Sequence, residues 1–170
     1  GSGSDSSSGS GYGIYNESYD EGMGNITNTG VIIGTGSSSS SSEGYGISNY
    51  NFGKIGNITN TGVIYGKDNA IKKNNGTIDT AYNYGILVNG DDGKGVVDGL
   101  GIVDETPEEN KIVNKGLIFT ALDGGIYKAV NENEYGKFGQ TYVDESIVIG
   151  YQEDGTGKLS NPITKKYTII

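Results

Sequence analysis

The chain has 170 residues, and its 21 acidic and 12 basic side chains give a formal net charge of −9. It contains no His, Cys or Trp, and every basic residue is Lys, which excludes imidazole and thiol catalysis, disulfides, Cys/His zinc sites and arginine-based phosphate sites. The acidic balance disfavours nucleic acids and anionic membrane surfaces as partners, and no apolar run approaches the roughly 18 residues of a membrane-spanning helix.

Short strands joined by many turns are predicted for most of the chain. Ile, Val, Tyr and Thr favour strands, whereas the 31 Gly residues and the frequent Asn favour tight turns and disfavour long helices. The first segment, residues 1–10, contains only Gly, Ser and one Asp. It is predicted to be a flexible linker.

Two short sequence motifs repeat in the first half of the chain. The nine residues Gly24–Ile32 recur identically as Gly56–Ile64, 32 positions later, and the Tyr-Gly-Ile word at Tyr12 recurs at Tyr45, 33 positions later. The serine run 37–42 lies between the copies and is interpreted as a loop within one repeat. A repeat of this length is typical of stacked architectures, in which each unit contacts only its neighbours.

A looser pattern, Asn-x-Gly-x-Ile, continues downstream and occurs at Asn28, Asn60, Asn74 and Asn114. Alternate side chains of a strand point to opposite faces, so the Ile of each copy can face inward, and stacking the copies about 4.8 Å apart joins these side chains into one core. The Asn is expected to take the left-handed conformation of a sharp corner and to hydrogen-bond the Asn of the next copy.

These features predict an all-β fold, a parallel β-helix or solenoid, over residues 11–139. The alternative is an antiparallel sandwich or sheet, for which the dipeptide Asn89-Gly90 is a hairpin signal. Residues 140–170 depart from the repeat and are predicted to form a degenerate coil or an inserted β-hairpin, with strands at 146–151 and 163–170.

Over roughly residues 11–129, the Asn-x-Gly-x-Ile and Tyr-Gly-Ile motifs and the nine-residue repeat resemble the passenger repeats of large fusobacterial-type autotransporter adhesins. The resemblance implies a right-handed parallel β-helix exposed on the outer, extracellular side of the bacterial outer membrane. It implies secretion through an outer-membrane barrel that the parent chain carries at its C-terminus, with no membrane insertion of this segment. It also implies binding to a glycan or protein on a host or bacterial surface, without a cofactor.

Tyrosines supply the candidate binding residues, because their rings combine an apolar face with a hydroxyl suited to glycans and proteins. Tyr82 and Tyr84, with the nearby acids Asp91 and Asp92, are the candidate ligand-binding residues. The alternative is that the rings only cover coil edges and protect the core. The tyrosines that recur near predicted turns are Tyr12, Tyr15, Tyr19, Tyr45, Tyr50, Tyr65, Tyr82 and Tyr84.

No catalytic or metal-binding residue is indicated. The segment Asn89–Gly93 groups oxygen ligands as a calcium loop does, but it lacks the alternating acids and the final bidentate Glu, so it is interpreted as a solvated turn. Paired carboxylates hydrolyse glycosides in some β-helices, yet no spacing singles out a pair here. We therefore expect a binding protein and no enzyme. The alternatives are a β-helical stalk without its own site and, third, a polysaccharide-processing β-helix.

Overall fold

The computed structural model describes residues 9–18, 20–37, 41–91, 93–103, 105–122, 126–133, 136–144 and 167–169. These residues form strands and turns and no helix, so none of them belongs to a helix that could cross a membrane. The predicted all-β class is confirmed. Most of the predicted linker, the centre of the serine run and the predicted strand 146–151 lie outside the described residues.

Three sheets contain most of the strands, and each sheet takes one strand from each successive part of the chain. Sheet 1 consists of β1 (Gly11–Asn16), β4 (Gly44–Asn49), β8 (Asn69–Lys73) and β12 (Val97–Asp98). Sheet 2 consists of β2 (Ile26–Asn28), β6 (Ile58–Asn60), β10 (Ala81–Asn83), β14 (Lys111–Asn114) and, beyond β14, β13 (Gly101–Val103). Sheet 3 begins with β3 (Val31–Gly34), β7 (Val63–Gly66), β11 (Ile86–Asn89) and β15 (Leu117–Ala121).

The chain visits sheets 1, 2 and 3 in the same order four times, and we call each round a pass. Neighbouring strands from successive passes are parallel in all three sheets. Two short strands, β5 (Lys54–Ile55) and β9 (Thr77–Ile78), also pair in parallel between sheets 1 and 2. The antiparallel alternative is therefore wrong for the described residues between 11 and 121, and Asn89-Gly90 ends β11 at a corner instead of closing a hairpin.

One face of each strand points to a shared core, because side chains alternate along a strand. In sheet 3, apolar side chains from four passes are register partners, and Ile64 and Ile118 are completely buried. Each such side chain contributes about 1.5–3 kcal/mol on burial. The columns are Ile14, Ile47 and Ile71 in sheet 1, Ile26, Ile58, Ala81 and Ile112 in sheet 2, and Ile32, Ile64, Leu87 and Ile118 in sheet 3.

Four asparagines form a hydrogen-bonded ladder at the ends of strands in sheet 2. The Nδ2 of each of the first three donates to the Oδ1 of the next Asn, at 2.8, 2.9 and 2.8 Å. Each Nδ2 also donates to the carbonyl oxygen of the glycine two residues further on. All four side chains are buried, so the predicted amide contact between copies is confirmed. The ladder consists of Asn28, Asn60, Asn83 and Asn114.

The third ladder position is Asn83, so the assignment of Asn74 to this repeat is wrong. Asn74 follows β8 at the corner after sheet 1, where its N–H donates to the carbonyl oxygen of Asn49. The expected left-handed conformation is also wrong for the ladder, because these residues end extended strands and satisfy the corner carbonyls with their amides. The described non-glycine residues with positive φ are Asn51, Phe52, Asn75 and Asn110.

The strand pairing changes after β15. The strands β16 (Ile126–Ala129), β17 (Thr141–Asp144) and β18 (Tyr167–Ile169) extend sheet 3 in antiparallel fashion. A second apolar cluster accompanies them, in which the rings of Phe119 and Tyr142 lie 5.3 Å apart and are almost completely buried. Antiparallel pairing thus begins at Ile126, ahead of the boundary after residue 139 that the sequence pattern suggested.

Candidate binding site

Four tyrosines lie together at sheet 1, three in its strands and Tyr50 directly after β4. We call Tyr12, Tyr15, Tyr45 and Tyr50 the tyrosine cluster. Tyr12 on β1 and Tyr45 on β4 are register partners, because the Tyr-Gly-Ile word repeats once per pass. Residues three apart normally face opposite sides of a strand. The register of β1 with β4 skips the glycine that follows each of these tyrosines, and the Tyr12 and Tyr15 rings nevertheless lie in contact.

The four rings contact one another in sequence. The Tyr12 centroid lies 4.8 Å from that of Tyr15 and 5.8 Å from that of Tyr45, and the Tyr15 and Tyr50 rings are stacked at 6.5 Å. Tyr45 is buried, whereas Tyr15 and Tyr50 are 41% and 45% exposed. The cluster therefore has a fixed inner ring and two outer rings that present accessible aromatic surface.

Lys72 of β8 joins the cluster to the charged part of the same face. Its Nζ donates to the hydroxyl of Tyr45 at 3.1 Å and lies 4.8 Å from the centre of that ring. The same Nζ lies 3.9 Å from a carboxylate oxygen of Asp98 on β12. A cation near an aromatic ring is attracted by the ring quadrupole, so Lys72 holds the buried end of the cluster and offers a hydrogen-bond donor beside it.

The phenols of this region are stabilised in their neutral form. Burial, followed by the hydrogen bond that Tyr15 donates to Glu17 at 2.9 Å, raises the pKa of Tyr15 to about 12. Burial, followed by the charge of Glu43, raises the pKa of Tyr45 above its ordinary value. These hydroxyls therefore remain protonated at neutral pH, where they serve as hydrogen-bond donors.

A depression of about 350 Å³ lies over the cluster. A second depression of about 320 Å³ adjoins it and shares Glu43, Tyr45 and Lys72 with it, and we call the two adjoining depressions the groove. Aromatic faces line one end of the groove, and charged and amide side chains line the other. The first depression is lined by Tyr12, Tyr15, Glu43, Tyr45, Ser48, Tyr50, Lys72 and Asn74.

The residues selected from the sequence lie elsewhere. Tyr82 and Tyr84 form a stacked pair in sheet 2 and at the corner after it, with centroids 6.5 Å apart and rings inclined by 8°. Asp91 belongs to a turn in which its Oδ1 accepts from the N–H of Gly93 at 2.9 Å. Asp92 lies outside the described residues. Because Tyr84 precedes β11 and Asp91 follows it, that strand separates the tyrosine pair from the acidic turn.

The tyrosine cluster was missed although the sequence contained a signal for it. The Tyr-Gly-Ile repeat places Tyr12 beside Tyr45 once the passes are aligned. The ring contacts of Tyr15 with Tyr12 and Tyr50 do not follow from this repeat, so the sequence does not reveal them. Among the described residues, no group of three or more acidic side chains is arranged to hold a metal ion.

The chain matches no protein-family model, and no curated protein or solved structure is significantly similar to it.

Proposed function

We propose that this chain is a segment of the secreted passenger of a bacterial surface adhesin, and that it binds a surface glycan or protein through the tyrosine cluster. The single observation that carries the proposal is the groove in which two half-exposed rings, Tyr15 and Tyr50, are connected through the Tyr12 ring to the buried ring of Tyr45. Exposed aromatic surface that is held rigidly and flanked by polar groups is characteristic of binding sites.

The proposed fold is a right-handed parallel β-helix. Its support is the fourfold passage of the chain through three parallel sheets in a constant order, together with the apolar columns that run through the passes. Right-handedness follows from the general preference of crossovers between parallel strands. The asparagine ladder accords with this arrangement, because identical side chains can hydrogen-bond only when successive passes are stacked in register.

A glycan is the favoured ligand on chemical grounds. The apolar faces of sugar rings pack against aromatic faces, and sugar hydroxyls accept and donate hydrogen bonds at the rim. The ammonium of Lys72 provides donors, and the carboxylate of Glu43 and the amide of Asn74 provide acceptors in the same groove. In this proposal the parent protein is located at the outer face of the outer membrane, and this segment acts by binding without catalysis or a cofactor.

A stalk without its own binding site is the rival proposal. The ladder and the continuous core favour it, because both give rigidity along the direction in which the passes stack. The two proposals differ in whether the outer rings of the tyrosine cluster contribute affinity.

Binding of the purified chain to a glycan array and to epithelial cells tests this difference. The double variant Tyr15→Ala/Tyr50→Ala removes the two exposed rings and leaves the buried ring in place. The matched control is Tyr82→Ala/Tyr84→Ala, which removes a stacked pair from another sheet. Saturable binding that the first variant loses by at least tenfold and the second retains supports the adhesive site. Binding that neither variant changes, or no binding by the unmodified chain, contradicts it and favours the stalk.

A further inference from the structure

A second cleft lies at the fourth pass, away from the tyrosine cluster. It has a volume of about 300 Å³ and is formed by residues of β12, β13, β15 and β16 and of the segments next to them. It shares no lining residue with the depression over the tyrosines, but it shares Lys94, Gly95 and Val97 with the depression that adjoins it. We call it the end cleft, and its lining includes Lys94, Val97, Ile102, Thr120, Lys128 and Val130.

The walls of the end cleft are apolar and continuous with the core. Val96 and Ile118 belong to the core cluster, and Val97 and Val130 pack against it while remaining partly accessible. Ile102 is 37% exposed. A hydrocarbon group placed here would cover apolar surface that water otherwise contacts, which is favourable in proportion to the area covered.

Thr120 contributes a buried polar atom that lacks a partner. Its side chain is 5% exposed, and its Oγ1 forms no hydrogen bond with any residue that the structure describes. The Oδ1 of Asn89, its register partner on β11, also has none. Because native proteins satisfy nearly all buried polar atoms, such a group calls for an explanation. Thr120 lies two residues from Ile118 and so faces the same side of β15.

Two lysines provide positive charge at the same place. Lys128 is the register partner of Thr120 on the antiparallel strand β16, so their side chains leave neighbouring positions of one sheet. Lys94 lines the cleft from the loop before β12. Neither ammonium has a carboxylate within salt-bridge distance among the described residues, although the chain as a whole has a net charge of −9.

We propose that the end cleft binds an anionic amphiphile, a carboxylate with an unbranched hydrocarbon tail of medium length. The carboxylate accepts hydrogen bonds from the Thr120 hydroxyl and the Lys128 ammonium, and Lys94 adds attraction at the rim. The tail lies against Val97, Ile102 and Val130. The end cleft contains no residue of the tyrosine cluster, so neither proposal requires the other.

Calorimetric titration of the purified chain with sodium octanoate below its micellar concentration tests the proposal. Octanoate is expected to bind with one-to-one stoichiometry. Butyrate, which has the same head and a shorter tail, and octyl glucoside, which has the same tail and no charge, are each expected to bind at least about tenfold more weakly. Absence of saturable octanoate binding, or equal binding of octyl glucoside, would overturn the proposal.

Three variants locate the site on the molecule. Lys128→Gln and Ile102→Ser are each expected to lower octanoate affinity about fivefold, the scale of a partly exposed charge contact or a small apolar contact. The control Lys137→Gln changes an exposed lysine that does not line the cleft and is expected to leave affinity unchanged. If Lys128→Gln and Ile102→Ser bind like the unmodified chain, octanoate binds elsewhere and the proposal fails.

Thr120→Val distinguishes a ligand-binding hydroxyl from a structural one. The substitution keeps the shape of the side chain and removes the unpartnered oxygen, so the thermal midpoint of the unliganded chain is expected to stay or rise while octanoate affinity falls about fivefold. A midpoint that falls with unchanged affinity would assign the hydroxyl to a purely structural contact and overturn its proposed role.

Discussion

Replacing Asn60 by Asp tests the asparagine ladder most sharply. The Asn60 side chain is 1% exposed. Its Nδ2 donates to the Oδ1 of Asn83 at 2.9 Å and to the carbonyl oxygens of Gly62 and Ile86 at 3.2 and 3.1 Å, while its Oδ1 accepts from Asn28 at 2.8 Å. Asn60→Asp keeps the shape and the single accepted bond, but it turns a carboxylate oxygen toward three acceptor oxygens.

The expected loss of unfolding free energy at pH 7 is about 3–5 kcal/mol, the usual cost of leaving a buried charge uncompensated. Burial with a single hydrogen-bond donor, the Asn28 amide, raises the pKa of the introduced carboxyl in the folded state above the unfolded value of about 3.9. The folded state then holds the proton to higher pH than the unfolded state does. The loss of unfolding free energy is therefore smallest at about pH 4 and below. It grows as the pH rises from the unfolded-state pKa toward the folded-state pKa.

Urea unfolding of Asn60→Asp and of the unmodified chain, at pH 4.5 and at pH 7, measures this penalty. Asn57→Asp is the matched control, because it makes the same chemical change three residues away on an exposed side chain and is expected to change stability by less than about 0.5 kcal/mol. A loss below about 1 kcal/mol at pH 7, or a penalty that is the same at both pH values, would refute the assignment of Asn60 to a buried ladder.

Three further outcomes follow from the packing and the phenol environment. Gly85→Ala places a Cβ against the backbone of the preceding pass and is expected to lower the thermal midpoint markedly, whereas a Cβ at Gly24 meets no atom and Gly24→Ala leaves the midpoint nearly unchanged. Phe119→Ala is expected to cost about 3–5 kcal/mol in urea unfolding and Phe119→Leu distinctly less, because the cavity is smaller. Ultraviolet titration is expected to find a tyrosine of pKa about 12 that Tyr15→Phe removes and that Glu17→Gln shifts downward, since Glu17 accepts a hydrogen bond from the neutral phenol. The stability associated with the neutral Tyr15 phenol is present below pH 10 and is lost as pH rises toward 12.

The repeats accounted for much of the fold in advance because their chemistry is local. The nine-residue identity at Gly24–Ile32 and Gly56–Ile64 aligns two passes by itself, and in the structure these copies are register partners. The same pattern predicted the inward Ile columns and the amide contacts. It failed at the third pass, because the ladder separations are 32, 23 and 31 residues. The sequence pattern did not match the shorter spacing of 23 residues between Asn60 and Asn83. It therefore assigned Asn74, instead of Asn83, to the third position.

The sequence by itself determined that the chain is built from short strands, because a Gly- and Asn-rich chain with regularly spaced branched residues can bury its apolar side chains only by stacking. Only the tertiary structure decided which residues share a surface. The tyrosine cluster combines rings from two passes with Lys72 from a third. The end cleft needs Thr120 beside Lys128, which follows from the antiparallel turn of β16 onto β15. Which residues are neighbours on the surface depends on the lengths of corners and loops, and the periodicity of the core does not determine these lengths.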